Sequence, residues 1–381
     1  MYQIRPLPSL RWADMKGRNN RKLGCMVKKQ LIKRTVCLLA AAALSIGIAG
    51  CSGDVQVEES SLRPSAKELP ELIINPLTGC SGFSEAAVGK RPVSVMVSNI
   101  QKSLPQWGIS SADLIYEAVT EGGITRLMCV FADPDNVPNV GPVRSVREYY
   151  PQFSMPLNTI FFHFGGSTTG YDAVKEYQTE TVDGMTMTSS FAQDTSRLNR
   201  GKEHTYYTNS ELMQAGIAKK GYSVTGATPS PFSFTAPNRT ANLTGGDAIS
   251  AKVRFSGYIT ASFDYDAASG KYLRSQYGEP HIDAKNGQQA AVTNVFIIYS
   301  PTSQIDGGIL TRYDLTGGTG IYLCGGKQQA FQWTKGAYNE PFRFTDESGA
   351  ELKVTPGNSW ICVVPASQAG ATVIEGAPQE P

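Results

Sequence analysis

The chain has 381 residues, 35 Lys or Arg against 33 Asp or Glu, and 41% hydrophobic content, which is the profile of a soluble globular protein long enough for two cores. Its net charge of +2 is unevenly spread: residues 1–50 hold ten of the basic residues and one acid, Asp14, so from Cys51 onward 25 basic residues face 32 acidic ones, a net of −7. No Lys/Arg-rich block lies beyond Cys51 to release counterions from a phosphate backbone, so nucleic acid is not an expected partner.

At the N-terminus Lys28, Lys29, Lys33 and Arg34 precede an apolar stretch from Val36 to Ala49, which ends in Leu44-Ser45-Ile46-Gly47-Ile48-Ala49-Gly50-Cys51. That stretch is shorter than the roughly 20 residues of a permanent membrane helix, and its small-residue end suits a peptidase. The pattern predicts a secretory signal over residues 1–50 ending in a lipobox. Met26 sits where such a signal normally starts, so residues 1–25 read as an upstream extension. The Cys51 thiol is the one nucleophile there that a diacylglyceryl group can alkylate. Two acyl chains hold stably where one does not, so the expected location is the extracytoplasmic face of the cell membrane, lipid-anchored through Cys51. From Ser52 to residue 74 the polar, Pro-containing chain reads as a flexible tether.

A mixed domain is expected over residues 75–227. Pro92–Val97 reads as a strand, Asp113–Thr120 and Ile124–Phe131 flank Gly122-Gly123 as a hairpin or a helix-turn-strand unit, and Leu157–Phe164 reads as a buried strand. Thr169–Gln178 and Ser210–Lys219 have helical spacing, giving an α+β or α/β N-terminal domain. The prolines of Gly226–Pro231 mark a boundary. Beyond it residues 228–365 predict a β-dominated C-terminal domain: alternation at Lys252–Ser256, Ser262–Tyr265 and Lys271–Arg274, a buried run at Asn294–Tyr299, a fold-back of Tyr322–Trp333 over Gly325-Gly326, and strands at Phe342–Thr345, Glu351–Val354 and Ser359–Val364. Residues 366–381 lack periodicity and are expected to be a disordered tail.

Polar residues that can carry chemistry concentrate in the first domain: Asp113, Glu117, Glu121, Arg126, then Gly141-Pro142-Val143-Arg144-Ser145-Val146-Arg147. Gly and Pro ahead of Arg144 suit a turn into a helix, on which Arg144 and Arg147 would share one face and grip a phosphate or carboxylate. Equally, the arginines can pair with Glu117, Glu121 or Glu148 and brace the fold. Of the three histidines, His163 precedes Gly165-Gly166-Ser167 at a strand end and His204 follows Arg197 and Arg200. With Asp194 these two could serve as acid and base or hold a metal, whereas a hydrogen-bonded structural role is the plainer reading for each, His281 included. HxxxH, HExxH, CxxC and a GxSxG frame at Ser167 are all absent, so no metal, cofactor or serine nucleophile is expected. Cys129 reads as a buried thiol, and geometry decides whether Cys324 and Cys362 pair.

Asn75–Gly79, Arg91-Pro92-Val93, Ala112–Glu117, Glu121–Arg126, Gly141–Ser145, His163 with Gly165–Ser167, Tyr272–Gly278, His281-Ile282-Asp283, Asn294-Val295, Trp333-Thr334-Lys335 and Pro356–Trp360 stand in one order that resembles the YerB family of bacterial lipoproteins. The resemblance covers nearly all of residues 75–365. It implies a membrane-anchored lipoprotein with an N-terminal and a C-terminal family domain and supplies no catalytic residues, the family's function being unknown. Two functions are carried forward. One is a binding or accessory lipoprotein that recognises an anionic cell-wall polymer or an envelope protein through Asp113, Glu117, Glu121, Arg126, Arg144, Ser145, Arg147, His163 and His204, with Trp333 and Trp360 as candidates for a docking surface or, at least as readily, for the core. The other is a hydrolase or transferase acting on envelope glycan or phosphodiester, with Asp113 or Glu121 and His163 or His204 as acid and base. A scaffold whose polar cluster only locks the fold is the third, purely structural reading.

Overall fold

The computed structural model describes residues 72–376. Cys51 and the signal segment lie outside those residues, as does most of the tether. In chain order the first half forms β1 (Val93–Ser98), β2 (Leu114–Val119), β3 (Thr125–Phe131), a short helix α1 (Tyr150–Ser154), β4 (Ile160–His163), α2 (Thr168–Glu176), β5 (Thr181–Asp183) and α3 (Ser210–Lys220). The helices start where side chains cap them: Ser167 accepts from the Gly170 N–H, and Asn209 accepts from Leu212. Gly122 and Gly123, both with positive φ, make the tight turn that joins β2 and β3 as an antiparallel hairpin.

The second half is strand-rich. It contains β6 (Ser250–Arg254), β7 (Thr260–Asp266), β8 (Lys271–Gln276), β9 (Asn294–Ser300), β10 (Gly317–Cys324), β11 (Lys327–Lys335), β12 (Phe342–Thr345), β13 (Ser359–Pro365) and β14 (Val373–Glu375). The chain is therefore a mixed first half followed by a β-dominated second half. Between them residues 226–231 carry no regular structure.

Both halves contribute to one ten-stranded sheet, in the order β12-β11-β10-β9-β13-β2-β3-β1-β4-β5. The join is β13, parallel to β9 on one side and to β2 on the other. Every residue of β9 and β13 is buried, which is why both read as nearly unbroken apolar runs: strands covered on two faces need no polar alternation. A second sheet of six strands contains β8-β7-β6-β14. Its inward face meets the first sheet where Phe263 lies edge-on to Trp360 at 6.1 Å. The opposite face of the large sheet is covered by aromatic stacks, Tyr116 on Phe153 at 4.9 Å and Phe296 on Phe232 at 4.7 Å.

One expectation changes here and two open alternatives are resolved. Residues 366–376 are ordered: a 3-10 turn over Ala366–Ala371 leads into β14, whose backbone pairs with β6 at the edge of the second sheet. Long-range pairing, which local periodicity does not register, supplies that order. Trp333 and Trp360 are 1% and 0% exposed and belong to the core, so neither offers a docking surface. Cys324 and Cys362 are free thiols, because β9 lies between the strands that carry them. No helix among the described residues is long and apolar enough to cross a membrane.

Candidate functional site

Strands β1, β2, β4 and β5 run in one direction, and their carboxyl ends gather most of the predicted residues. Ligands commonly sit at that end of open α/β sheets. Glu121 follows β2, Arg126 lies near the start of the antiparallel β3, and His163 ends β4. The strand geometry also splits the predicted cluster. Asp113 precedes β2, and six residues at about 3.3 Å each place it roughly 20 Å from the Glu121 end. There it is consumed structurally, accepting from the Ala132 N–H at 2.7 Å and from Asn75 at 2.9 Å. Burial is the main reason its carboxyl is pushed up.

Glu121 joins two guanidiniums. One carboxylate oxygen pairs with Arg126, and the other accepts from Arg147 Nε at 2.8 Å. Burial opposes its charge, but Arg126 and Arg147 outweigh burial and hold the carboxyl below its usual range. On the other side of the balance, burial and then the neighbouring Arg147 push Arg126 down to about 9. Arg126 also donates to the Ser145 carbonyl, and Arg147 donates to the Val146 carbonyl at 2.8 Å. This triad braces the β2–β3 turn against the segment 144–147.

That segment is not a helix, which corrects the expectation for Arg144 and Arg147. Residues 141–147 run extended and pair with neighbours on both sides: Ser98 N–H to the Pro142 carbonyl, Arg144 N–H to Met96, Phe164 N–H to the Arg144 carbonyl, and Val146 N–H to Gly165. Its amides are spent on strand-like pairing, so no helix N-terminus is available to an anion. The two arginines consequently differ. Arg147 is tied to Glu121, whereas Arg144 is partly exposed and makes only a long contact, 3.5 Å, with the Glu203 carbonyl. No carboxylate lies within 4 Å of Arg144 among the described residues. Ser145 is partly exposed beside it.

His204 belongs to the same corner. Its ring is 2% exposed, Nε2 lies 3.6 Å from Glu203, and Nδ1 has no partner. Burial first, then the positive charge of Arg144, lowers its pKa, so the ring is held neutral. Glu203 pulls the other way, while Arg197 and Lys102 act in the same sense as Arg144. His163 is fully buried. Its Nδ1–H donates to the Gly165 carbonyl at 2.9 Å, which leaves Nε2 as an acceptor without a partner. Burial lowers its pKa despite Asp183 at 3.7 Å, a carboxylate occupied by the Gly165 and Met185 N–H groups and by the Tyr171 hydroxyl. Asp194 caps a 3-10 turn through Ser196 and faces neither histidine within salt-bridge distance.

Glu117 lies in the interior between the two sheets. In the β2–β3 register Arg126 sits opposite Ala118, one residue along from Glu117, so the two project from opposite faces. Glu117 is 0% exposed and accepts from Arg274 at 2.8 Å, Asn99 at 2.9 Å, Thr125 at 2.8 Å and Trp360 Nε1 at 2.9 Å. Arg274, also fully buried, stacks over Trp360 at 4.5 Å, donates to Gln276 at 2.9 Å and donates to His281 Nδ1. That contact fixes the neutral tautomer of His281, whose Nε2–H donates to Gln106 at 2.6 Å. Gln106 and Gln276 in turn converge on the Asn99 side-chain oxygen. Burial, then Arg274, drives the His281 pKa far down.

Arg274 was not among the predicted residues. Its signal was present: in β8 the inward positions are Tyr272, Arg274 and Gln276, and polar residues at inward positions of an alternating strand demand partners. Among the described residues no three His, Cys, Asp or Glu converge to hold a metal.

Comparisons with known proteins agree with this architecture. Residues 77–223 match the family described as protein of unknown function (DUF3048), N-terminal domain, and residues 251–361 match its C-terminal domain. A Bacillus subtilis (strain 168) protein named as a lipoprotein, YerB, is 30% identical over 298 residues, which is 76% of this chain and 86% of that protein. The crystal structure of YerB from Bacillus subtilis superposes with a TM-score of 0.70 at 27% identity, covering 80% of this chain and 99% of the other. With both family domains present in order and a relative matched over most of its length, the chain belongs to the DUF3048 family, the family of YerB.

Proposed function

We propose that the protein is a lipid-anchored lipoprotein of the extracytoplasmic membrane face that binds an anionic envelope ligand, or a partner protein presenting such a group, at the corner built around Arg144. The anchor reading draws on the signal segment, the lipobox ending at Cys51 and the lipoprotein name of YerB. One observation carries the binding reading. Arg126, Arg147 and Arg274 are each satisfied by a carboxylate, while Arg144, partly exposed at the same sheet end, has none within 4 Å among the described residues. A guanidinium whose fork is left open suits a phosphate or carboxylate from outside. The acid–base alternative draws little from the geometry. Both candidate histidine rings are buried, and the carboxylates of Glu121, Asp113 and Asp183 are already occupied.

The binding reading is tested by cosedimentation of the purified full-length protein with insoluble cell wall carrying anionic polymer. Arg144→Ala should cut binding about tenfold, as expected for loss of a charge-assisted contact, and Arg144→Lys should retain part of it. Unchanged binding by Arg144→Ala would overturn the reading. The anchor is tested by metabolic labelling with a palmitate analogue: Cys51→Ala should lose both the label and membrane association, and a variant that kept both would refute lipidation at Cys51.

A further inference from the structure

Beside the Arg144 corner, an open hollow of about 310 Å³ is lined by Pro105, Trp107, Asp194, Arg197, Asn199 and Arg200, with Ala284 from the second half at its rim. Its walls are fixed. The Asp283 carboxylate accepts the Gly108 and Ser110 N–H groups at 3.0 Å each and the Ser110 hydroxyl at 2.7 Å, which holds the loop that carries Trp107. Arg197 lies 4.2 Å over the Trp107 ring and donates to the Ser103 carbonyl at 2.7 Å, while Arg200 donates to the Leu104 carbonyl.

Each guanidinium carries five N–H donors, and one protein acceptor apiece leaves both under-used. No carboxylate lies within 4 Å of either among the described residues; Asp194, the acid in the wall, is turned to its own Ser196. Two cations set side by side and partly withdrawn from water repel each other, and burial followed by Arg200 pushes Arg197 down to about 10, with the charge of Asp194 offsetting only part of it. The stack on Trp107 offsets only part of that cost. The chain from Cys51 onward is acidic overall, so this concentration of unpaired positive charge runs against its average. An anion seated between the guanidiniums would remove the repulsion and use the free donors, and a tetrahedral phosphate has oxygens enough for both forks.

We propose that this hollow is a phosphate-binding subsite, in which Arg197 and Arg200 grip a phosphate ester and the apolar wall of Trp107 and Pro105 carries the carbon skeleton attached to it. Its residues are distinct from Arg144, so this subsite and the reading given above fail separately.

The test uses the full chain in detergent and follows binding by phosphorus NMR titration, with inorganic phosphate, glycerol phosphate and a short glycerol phosphodiester as probes. Glycerol phosphate should bind more tightly than inorganic phosphate, and comparison with the diester tells a chain-end monoester from an internal unit of a polymer. Asn199 is exposed, so Asn199→Asp places a negative charge in the hollow without disturbing the core and should weaken every probe about tenfold with the melting temperature unchanged. Arg200→Gln should weaken every probe to a similar degree. Equal affinity in Asn199→Asp and the parent, or no binding by the parent at millimolar probe, would overturn the subsite and leave the Arg144 reading standing.

Discussion

Two arginine-rich regions of this molecule use the same side chain in opposite ways. Between the sheets Arg274 is closed in: Glu117, Gln276, His281 and the Trp360 ring surround it, and only its Nε lacks a partner. At the sheet end and in the neighbouring loop, Arg144, Arg197 and Arg200 touch only backbone carbonyls or a ring face. The first arrangement is a complete network that spans both halves of the chain. The second is incomplete within the protein. A closed network specifies a fold, and an open one is where a ligand adds something the chain lacks.

The contrast is broken most severely by removing Arg274. Arg274→Met leaves Glu117 buried without its counter-ion and should cost about 3–5 kcal/mol, read by denaturant unfolding, with anion binding reduced only through loss of folded protein. A loss below about 1 kcal/mol would mean that the network is not the structural joint described, since exposed ion pairs contribute that little.

A smaller effect should appear with pH. The pKa of His281 is depressed in the folded state, so below the unfolded value of about 6.5 the unfolded chain binds a proton that the folded chain refuses. Stability is therefore greatest above that value and falls as pH drops through it, by up to about 1.4 kcal/mol per pH unit for this ring. The buried His163, lowered in the same direction, adds to the slope. Unfolding measured at about pH 7.5 and about pH 5.5 reads the sum, and equal stabilities would contradict neutral, buried rings.

The difference between the regions also tracks what the sequence makes legible. Apolar runs such as Asn294–Tyr299 and Ser359–Val364, the turn glycines at 122–123 and 325–326, and the helical spacing of 169–178 and 210–219 all place real elements, because strand burial, turn conformation and helix faces are written locally. Contacts set by topology are not. Glu117 meets Arg274 from 157 residues away, and nothing near Glu117 distinguishes a buried carboxylate from one on a ligand-binding face. Gly141-Pro142 resembles the opening of a helix, yet the segment is captured by β1 and the turn after β4. The charged motif around Glu121, Arg126 and Arg147 was visible as a cluster. Which of its arginines would be left open depended on the path of the chain.

If closed arginines hold the fold and open ones meet the ligand, one paired measurement on Arg144→Ala shows it most directly. Melting temperature and binding to anionic cell wall should separate: the melting temperature stays at the parent value while binding falls about tenfold. A variant that binds as the parent does but melts markedly lower would contradict the account and assign Arg144 to the fold.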